Sequence, residues 1–316
     1  MGLSLVFFGT ADFAVPSLRA LFESAHAVRA VVTAPSRPAG RGRKLRAAPV
    51  AEAAGDRAPL LAPDDVNAPA AREAFRALGA EVFVVVAYGQ VLSAETLGIP
   101  ARGAVNLHAS LLPKHRGAAP VAAAILAGER ETGVTTIWMA PKVDAGDIIL
   151  QRTVAFADAE TAGDLEARLA AEGARLLVET LDRIAEGTAP RRPQASADVS
   201  YAPKLHPADF CITWDEPAAN IERRIRAGSP RTPAWATFRG ERLQILRGRA
   251  REWGPAVAGE VLAVEKDGIV VGARDGAVAL CEVRPAGGKR MSGWAFANGH
   301  RIRVGEHMRP PEGGDS

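Results

Sequence analysis

Only two cysteines occur in the 316 residues, Cys211 and Cys281. They stand far apart and without Cys-x-x-Cys spacing, which excludes a disulfide framework and a cysteine-based zinc site and points to a reducing cytoplasm. Neither is near the chemically dense part of the chain, so a thiol nucleophile is not expected. Long apolar runs are also missing. The first, residues 3–8, falls far short of the roughly 20 residues that cross a bilayer and has no basic leader, so it is expected to be a strand, and neither membrane anchor nor signal peptide. Gly-x-Gly-x-x-Gly and the Walker lysine loop are absent, which removes the sequence support for dinucleotide or ATP binding. His26, His206, His300 and His307 have no paired acid at ligand spacing, and no metal is expected.

What is present is an ordinary globular composition, 47% hydrophobic and 24% charged, with a formal charge of +3. The length suits two domains. The positive excess lies after residue 203, a weak sign of a polyanionic partner. Residues 3–8, 28–33 and 82–86 read as buried parallel strands, alternating with helical spacing at 15–22 and 70–78. Strands follow at 105–107, 134–139 and 148–154. A stripe of Leu165, Leu169, Leu176, Leu177, Leu181 and Ile184 marks a helix over 164–186 as core, stopped by Gly187 and Pro190. Three prolines in 189–203 mark a linker. Beyond a short helix at 217–227, Gly-punctuated strands at 234–238, 243–246, 259–264, 269–271 and 278–283 favour a small β-barrel or sandwich. The expected fold is α/β, a Rossmann-like open sheet over 1–188, a linker over 189–203 and a smaller OB-like β-barrel over 204–316.

The stretch 105–120 is the chemical centre. Asn106 and His108 lie two apart at a strand's end, so alternation points both to one face. Ser110, Leu111, Leu112 and Pro113, then Arg116 and Gly117, form an ordered loop before an Ala-rich helix over 119–127. On its own, an Asn beside a His reads as a hydrogen-bonded structural pair more often than a catalytic one. A carboxylate changes that balance: Asp144, with Gly146 and Asp147, follows the strand at 134–139, and the three groups can converge from adjacent strand ends.

These residues resemble the signature of the folate-dependent formyltransferases. Four further stretches, 8–14, 37–44, 84–89 and 285–291, resemble the members that act on methionyl-initiator tRNA. The resemblance implies transfer of a formyl group from 10-formyltetrahydrofolate, used as a substrate without a metal, to the α-amino group carried by that tRNA; separately, the chain is expected to be a monomer. It implies folate contacts from Tyr88, Gly89, Ser110, Leu111, Leu112, Pro113 and Asp147. The basic segment with Arg37, Arg41, Arg43, Lys44 and Arg46 is read as an exposed loop, and the resemblance sets it against the acceptor stem. Lys289 and Arg290 are expected on tRNA phosphates, with Arg223, Arg224, Arg226, Arg239, Arg247 and Arg249 on the same barrel.

Formyl transfer to an amine needs a donor for a tetrahedral oxyanion and a route for a proton from the attacking to the leaving nitrogen. Asn106 and His108 suit an oxyanion hole, and Asp144 would fix the imidazole and support proton movement. His115 is expected at the surface or facing tRNA. Pro141 and Lys142 depart from the family, which has an acidic residue and a Gly-Leu pair there, so the shape of the Asp144 loop is the open point. Relatives with other acceptors (a glycinamide ribonucleotide, an amino sugar nucleotide, water) need no basic insertion of this kind. A nonenzymatic RNA-binding protein on the same scaffold would not need the intact triad.

Overall fold

The computed structural model describes residues 2–39, 44–157 and 159–310, with backbone alone for 37–39 and 44–46. Contacts group the chain into two units, Met1–Pro120 with Glu131–Ala155 and Glu166–Pro203, and Val121–Arg130 with Phe156–Leu165 and Lys204–Ser316.

In the first unit, apolar runs become strands wherever both faces are covered. The chain runs β1 (Ser4–Gly9), α1 (Val15–Phe22), β2 (Ala27–Val32), β3 (Arg37–Ala39), β4 (Lys44–Arg46), α2 (Pro49–Ala54), β5 (Leu60–Leu61), α3 (Pro69–Ala77) and β6 (Val82–Val86). It continues through α4 (Ala94–Leu97), β7 (Ala104–His108), β8 (Arg116–Gly117), α5 (Pro120–Leu126), β9 (Glu131–Trp138), β10 (Ile148–Ala155), α6 (Ala162–Glu186) and β11 (Tyr201–Ala202). Seven strands form one sheet in the order β10-β9-β7-β6-β1-β2-β5. β1, β2, β5, β6 and β7 are parallel, whereas β9 and β10 run antiparallel to their neighbours. β1 lies between β2 and β6, so the strand order reverses there and opens a crevice at the carboxyl ends, where open α/β sheets place ligands.

The expected leucine stripe of α6 is buried along its whole length. At Gly173 the helix comes so close to β7 that a Cβ would lie 2.7 Å from Leu107. Leu107 therefore faces α6, and alternation turns Asn106 and His108 to the other face. Behind the crevice Phe8 packs edge-on to Phe75 (5.3 Å between centroids) and Tyr88 (5.6 Å). Each such pair contributes about 1 kcal/mol beyond its burial.

The basic segment differs from the loop expected of it. β3 and β4 pair antiparallel, Arg37 opposite Arg46 and Ala39 opposite Lys44. Strands of three residues interrupted by proline carry no readable alternation, so the pairing left no sequence signal. Arg41 and Arg43 lie outside the described residues.

The second unit takes in α5 and the first turn of α6, and then α7 (Ala218–Gly228), β12 (Ala234–Phe238), β13 (Glu241–Arg251), β14 (Val261–Glu265), β15 (Gly268–Ala273), β16 (Gly276–Pro285), β17 (Met291–Ser292), α8 (Gly293–His300) and β18 (Met308–Arg309). Its antiparallel sheet runs β14-β15-β16-β13-β12-β18, with β17 on β16. A bridge between Glu260 and His307, and bonds from Met308 N–H to Gly259 O (2.8 Å) and Val261 N–H to Glu306 O (2.7 Å), join the end strands. That closure is the barrel character expected of the region. Helix α8 was not expected, because small residues replace a leucine stripe; it is started by Ser292, whose Oγ accepts the Ala295 N–H.

One buried group makes stability pH-dependent. His26 Nδ1 accepts the Leu3 N–H at 3.1 Å, and Nε2 faces Asp182 Oδ1 at 3.3 Å. Burial pulls its pKa below the usual 6.5, outweighing the opposite pull of Asp182. The fold thus prefers the neutral ring, so this contribution is complete above the unfolded value and is lost as pH falls through the lowered folded value. The urea midpoint is expected to drop between pH 7.5 and 5.5, and His26→Gln to flatten that drop.

Candidate active site

The three groups singled out by the sequence meet. Asn106 Nδ2 lies 3.5 Å from Asp144 Oδ1, and His108 Nδ1 lies 3.6 Å from Asp144 Oδ2. The His108 ring is 7% exposed and the Asp144 side chain 12%, so their interaction is little screened. They do not meet as strand ends, however. β9 is antiparallel to β7, with Trp138 opposite Val105 and Thr135 opposite His108. The loop after β9 therefore starts beside the beginning of β7 and folds back over its face. Gly146 makes that return possible, since a Cβ there would overlap the Trp138 carbonyl.

Asp144 takes a left-handed conformation, φ 50°. Such backbone costs a non-glycine residue on the order of 1 kcal/mol and persists where its surroundings fix it. Three contacts do so. The Gly117 N–H donates to Asp144 Oδ2 at 2.8 Å, and Gln194 Nε2 donates to the carbonyls of Asp144 (2.8 Å) and Gly146 (2.7 Å). The Pro141–Lys142 departure sits on the exposed outer part of the loop, away from these contacts.

The loop after β7 fixes the imidazole. His108 Nε2 is 2.9 Å from the His115 carbonyl. A carbonyl only accepts, so Nε2 carries the proton and Nδ1 is the ring atom turned to Asp144. His115 is buried, contrary to the surface position expected for it; its φ of 57° and the bond from its N–H to Ser200 Oγ (2.8 Å) turn its carbonyl to His108. Ser110 Oγ donates to Lys114 O at 2.6 Å, and Thr135 Oγ1 donates to Ser110 O at 2.6 Å. Gln151 donates to Leu112 O at 2.8 Å, ahead of a cis Leu112–Pro113 peptide.

The positions expected to touch folate divide by what they expose. Tyr88 turns its ring into the core, where burial, and secondarily Asp65, push its pKa up to about 12. Its hydroxyl has no hydrogen-bond partner among the described residues, and its carbonyl accepts from Thr10 Oγ1 at 2.7 Å. Gly89, with φ 95°, has open space where a Cβ would stand. Ser110 is buried, Leu112 packs with Ile137 and Ile148, and Leu111 lies over Gly133. Pro113 is half-buried, and the Asp147 carbonyl accepts the Trp138 N–H at 2.9 Å. The side chains of Tyr88, Ser110 and Leu112 are thus buried, and their carbonyls accept from Thr10, Thr135 and Gln151.

Sequence reasoning missed Gln194 and the stretch around it. Residues 190–194 and 200–202 are hydrogen-bonded to the site loops and to the ends of β9 and β10. Ile148 and Arg192 exchange backbone bonds, Trp138 Nε1 donates to Pro190 O (3.1 Å), and β11 pairs with β8. A proline-rich stretch without periodicity gives no local signal of such contacts.

On the second unit, Lys289 and Arg290 are exposed. Arg290 donates to Glu282 at 2.7 Å, and Arg247 bonds Asp164 at 3.0 Å with Glu282 3.8 Å away. Arg224, Arg226 and Arg239 likewise pair with Glu216, Glu222 and Glu306. These carboxylates offset much of the positive field read from the arginine count. Among the described residues no group of side chains is placed to hold a metal ion, and no helix is long and apolar enough to cross a membrane.

An open α/β sheet with an amide, an imidazole and a carboxylate over β7, followed by a closed antiparallel sheet, defines the class: the chain belongs to the formyl transferase family, whose model matches residues 3–181, and whose C-terminal domain model matches 204–301. Within that family it is 47% identical over 310 residues to the methionyl-tRNA formyltransferase of Moorella thermoacetica, covering 96% of this chain and 98% of that one. Against the enzyme of the same name from Acidothermus cellulolyticus it is 44% identical, over 96% and 99%. Among solved structures, Aquifex aeolicus HypX in complex with tetrahydrofolic acid superposes with a TM-score of 0.65 at 19% identity, over all of this chain and 50% of that one. The Helicobacter canadensis N-formyltransferase gives 0.66 at 19%, over 89% and 99%. At those identities the structures speak for the fold alone.

Proposed function

We propose that this chain transfers the formyl group of 10-formyltetrahydrofolate to the α-amino group of methionyl-initiator tRNA. The observation that carries the reading is the convergence of Asn106, His108 and Asp144 in a chain alike over nearly its whole length to methionyl-tRNA formyltransferases. The neutral amine attacks the formyl carbon, giving a tetrahedral carbon that bears an oxyanion and a protonated nitrogen. With Nε2–H held by His115, His108 accepts that proton at Nδ1, and the Asp144 carboxylate balances the imidazolium. Nδ1–H is then a charge-assisted donor beside the oxyanion, and Asn106 supplies a donor that does not titrate. Collapse breaks the carbon–nitrogen bond to the folate, whose nitrogen takes the proton from Nδ1.

Incubation with methionyl-tRNA and the formyl donor is expected to yield acid-stable formylmethionine. Failure where a control enzyme works would overturn the reading. We further assign Arg37, Arg41, Arg43, Lys44 and Arg46 to the acceptor end of the tRNA, and Lys289 and Arg290 to its phosphates. Arg41→Glu is then expected to raise the KM for tRNA about tenfold, leaving that for the folate within about twofold, because a phosphate contact serves one substrate only. Equal effects on both would indicate a general defect. The catalytic domain is assigned to 1–188 and the tRNA-binding barrel to 204–316, and the enzyme is taken to act as a monomer in the cytoplasm, where Cys211 and Cys281 stay reduced.

A further inference from the structure

Gln194 uses all of its hydrogen-bonding capacity on the two loops that meet at Asp144. Its two amide protons go to the carbonyls of Asp144 (2.8 Å) and Gly146 (2.7 Å). Its oxygen accepts from Arg116 Nε (3.1 Å) and Nη2 (2.7 Å). Arg116 is buried and adjoins Gly117, whose N–H holds Asp144 Oδ2. One carboxamide thus ties the backbone of the carboxylate loop to the residue beside its side-chain anchor.

We infer that Gln194 is a positioning residue for catalysis: it holds the left-handed turn at Asp144 so that the carboxylate stands over Asn106 and His108. The inference rests on the formyl-transfer reading and names the determinant of that site's geometry. Two donors toward two carbonyls and one acceptor toward a guanidinium is a demand only a primary amide of this length meets. Glutamate keeps the pairing with Arg116 but sets oxygens against the two carbonyls. Methionine keeps the volume and loses every bond. The departure at Pro141 and Lys142 is tolerated on this account, because the loop is fixed from its inner side by a residue some 50 positions later in the chain.

The test compares Gln194→Met and Gln194→Glu with the wild type, after their thermal transitions show them folded. Loss of loop placement is expected to lower kcat about a hundredfold in both, with the KM for folate and tRNA within about threefold, because the reacting groups and not the binding surfaces are displaced. In an Asp144→Ala background, Gln194→Met is expected to cost less than about twofold more, since residues acting as a unit are non-additive. Wild-type kcat in both variants, or losses that multiply in the double variant, would overturn the inference. A readout that needs no acceptor separates it from the proposed activity: at fixed pH, the His108 ring resonances of Gln194→Met should move toward those of Asp144→Ala. Unmoved resonances would sink the positioning role, whereas a wild type that formylates no tRNA would sink only the reaction.

Discussion

Replacement of His108 by alanine is expected to lower kcat for formyl transfer by about three orders of magnitude while leaving tRNA affinity nearly unchanged, since proton transfer and oxyanion donation are lost together. The size follows from the geometry. Nε2 is held by the His115 carbonyl at 2.9 Å, so the ring cannot turn to present its other nitrogen without breaking a buried bond. Nδ1 is then the one ring atom able to take the amine proton, and it lies 3.6 Å from the Asp144 carboxylate that would balance the charge. Alanine removes the proton carrier and strands that carboxylate. His108→Gln restores a donor without a titrating group, and is expected to recover no more than about tenfold, because an amide can support the oxyanion but cannot carry the proton. Single-turnover kinetics with saturating donor, alongside filter binding of methionyl-tRNA, separate the two quantities. Unaltered turnover would remove His108 from the mechanism.

The parts of this molecule legible in its sequence are those fixed by short-range pattern. Val82–Val86 is apolar throughout and forms a strand with those bounds, because a parallel strand covered on both faces needs no alternation. The leucines of α6 repeat at helical spacing and are buried, and Asn106 and His108 share a face because strand periodicity is 2. The direction of β9 was not legible, and it decides how the carboxylate arrives. Strand-end convergence was the expectation; an antiparallel β9 requires the fold-back that Gly146 permits. The sequence does contain that glycine, but only the register shows what it approaches.

Gln194 illustrates the harder case. Its partners are backbone carbonyls of Asp144 and Gly146, and a carbonyl carries no residue-type signature. Buried backbone acceptors must find donors somewhere, yet which distant side chain supplies them is a three-dimensional question. His115 was misplaced for a related reason: its proximity to Lys114 and Arg116 suggests an exposed basic loop, whereas Arg116 is buried against Gln194 and His115 turns its carbonyl inward. The arginines after residue 203 repeat the lesson only in part: Arg226 pairs with Glu222 one helical turn away and Arg224 with Glu216 eight residues away, whereas Arg239 meets Glu306 only on folding.

Asp144→Asn is expected to reduce kcat by about a hundred- to a thousandfold with little change in either KM, because shape is kept while the counter-charge to the imidazolium is lost. The asparagine oxygen can keep the bond to the Gly117 N–H, which Asp144 Oδ2 now accepts at 2.8 Å, so the loop stays in place. Its NH2 group must then face the Asn106 amide, where Asp144 Oδ1 now stands 3.5 Å away, and two donors oppose each other. Charge and local hydrogen bonding therefore change while packing does not, and the melting temperature is expected to fall by no more than a few degrees, corresponding to roughly 1 kcal/mol. Measuring kcat together with the thermal transition distinguishes the two ways Asp144 can matter. A variant within about tenfold of wild-type kcat, a loss of no more than roughly 1.4 kcal/mol in transition-state stabilisation, would mean that the carboxylate only anchors the loop to Gly117 and that its charge plays no part in moving the proton.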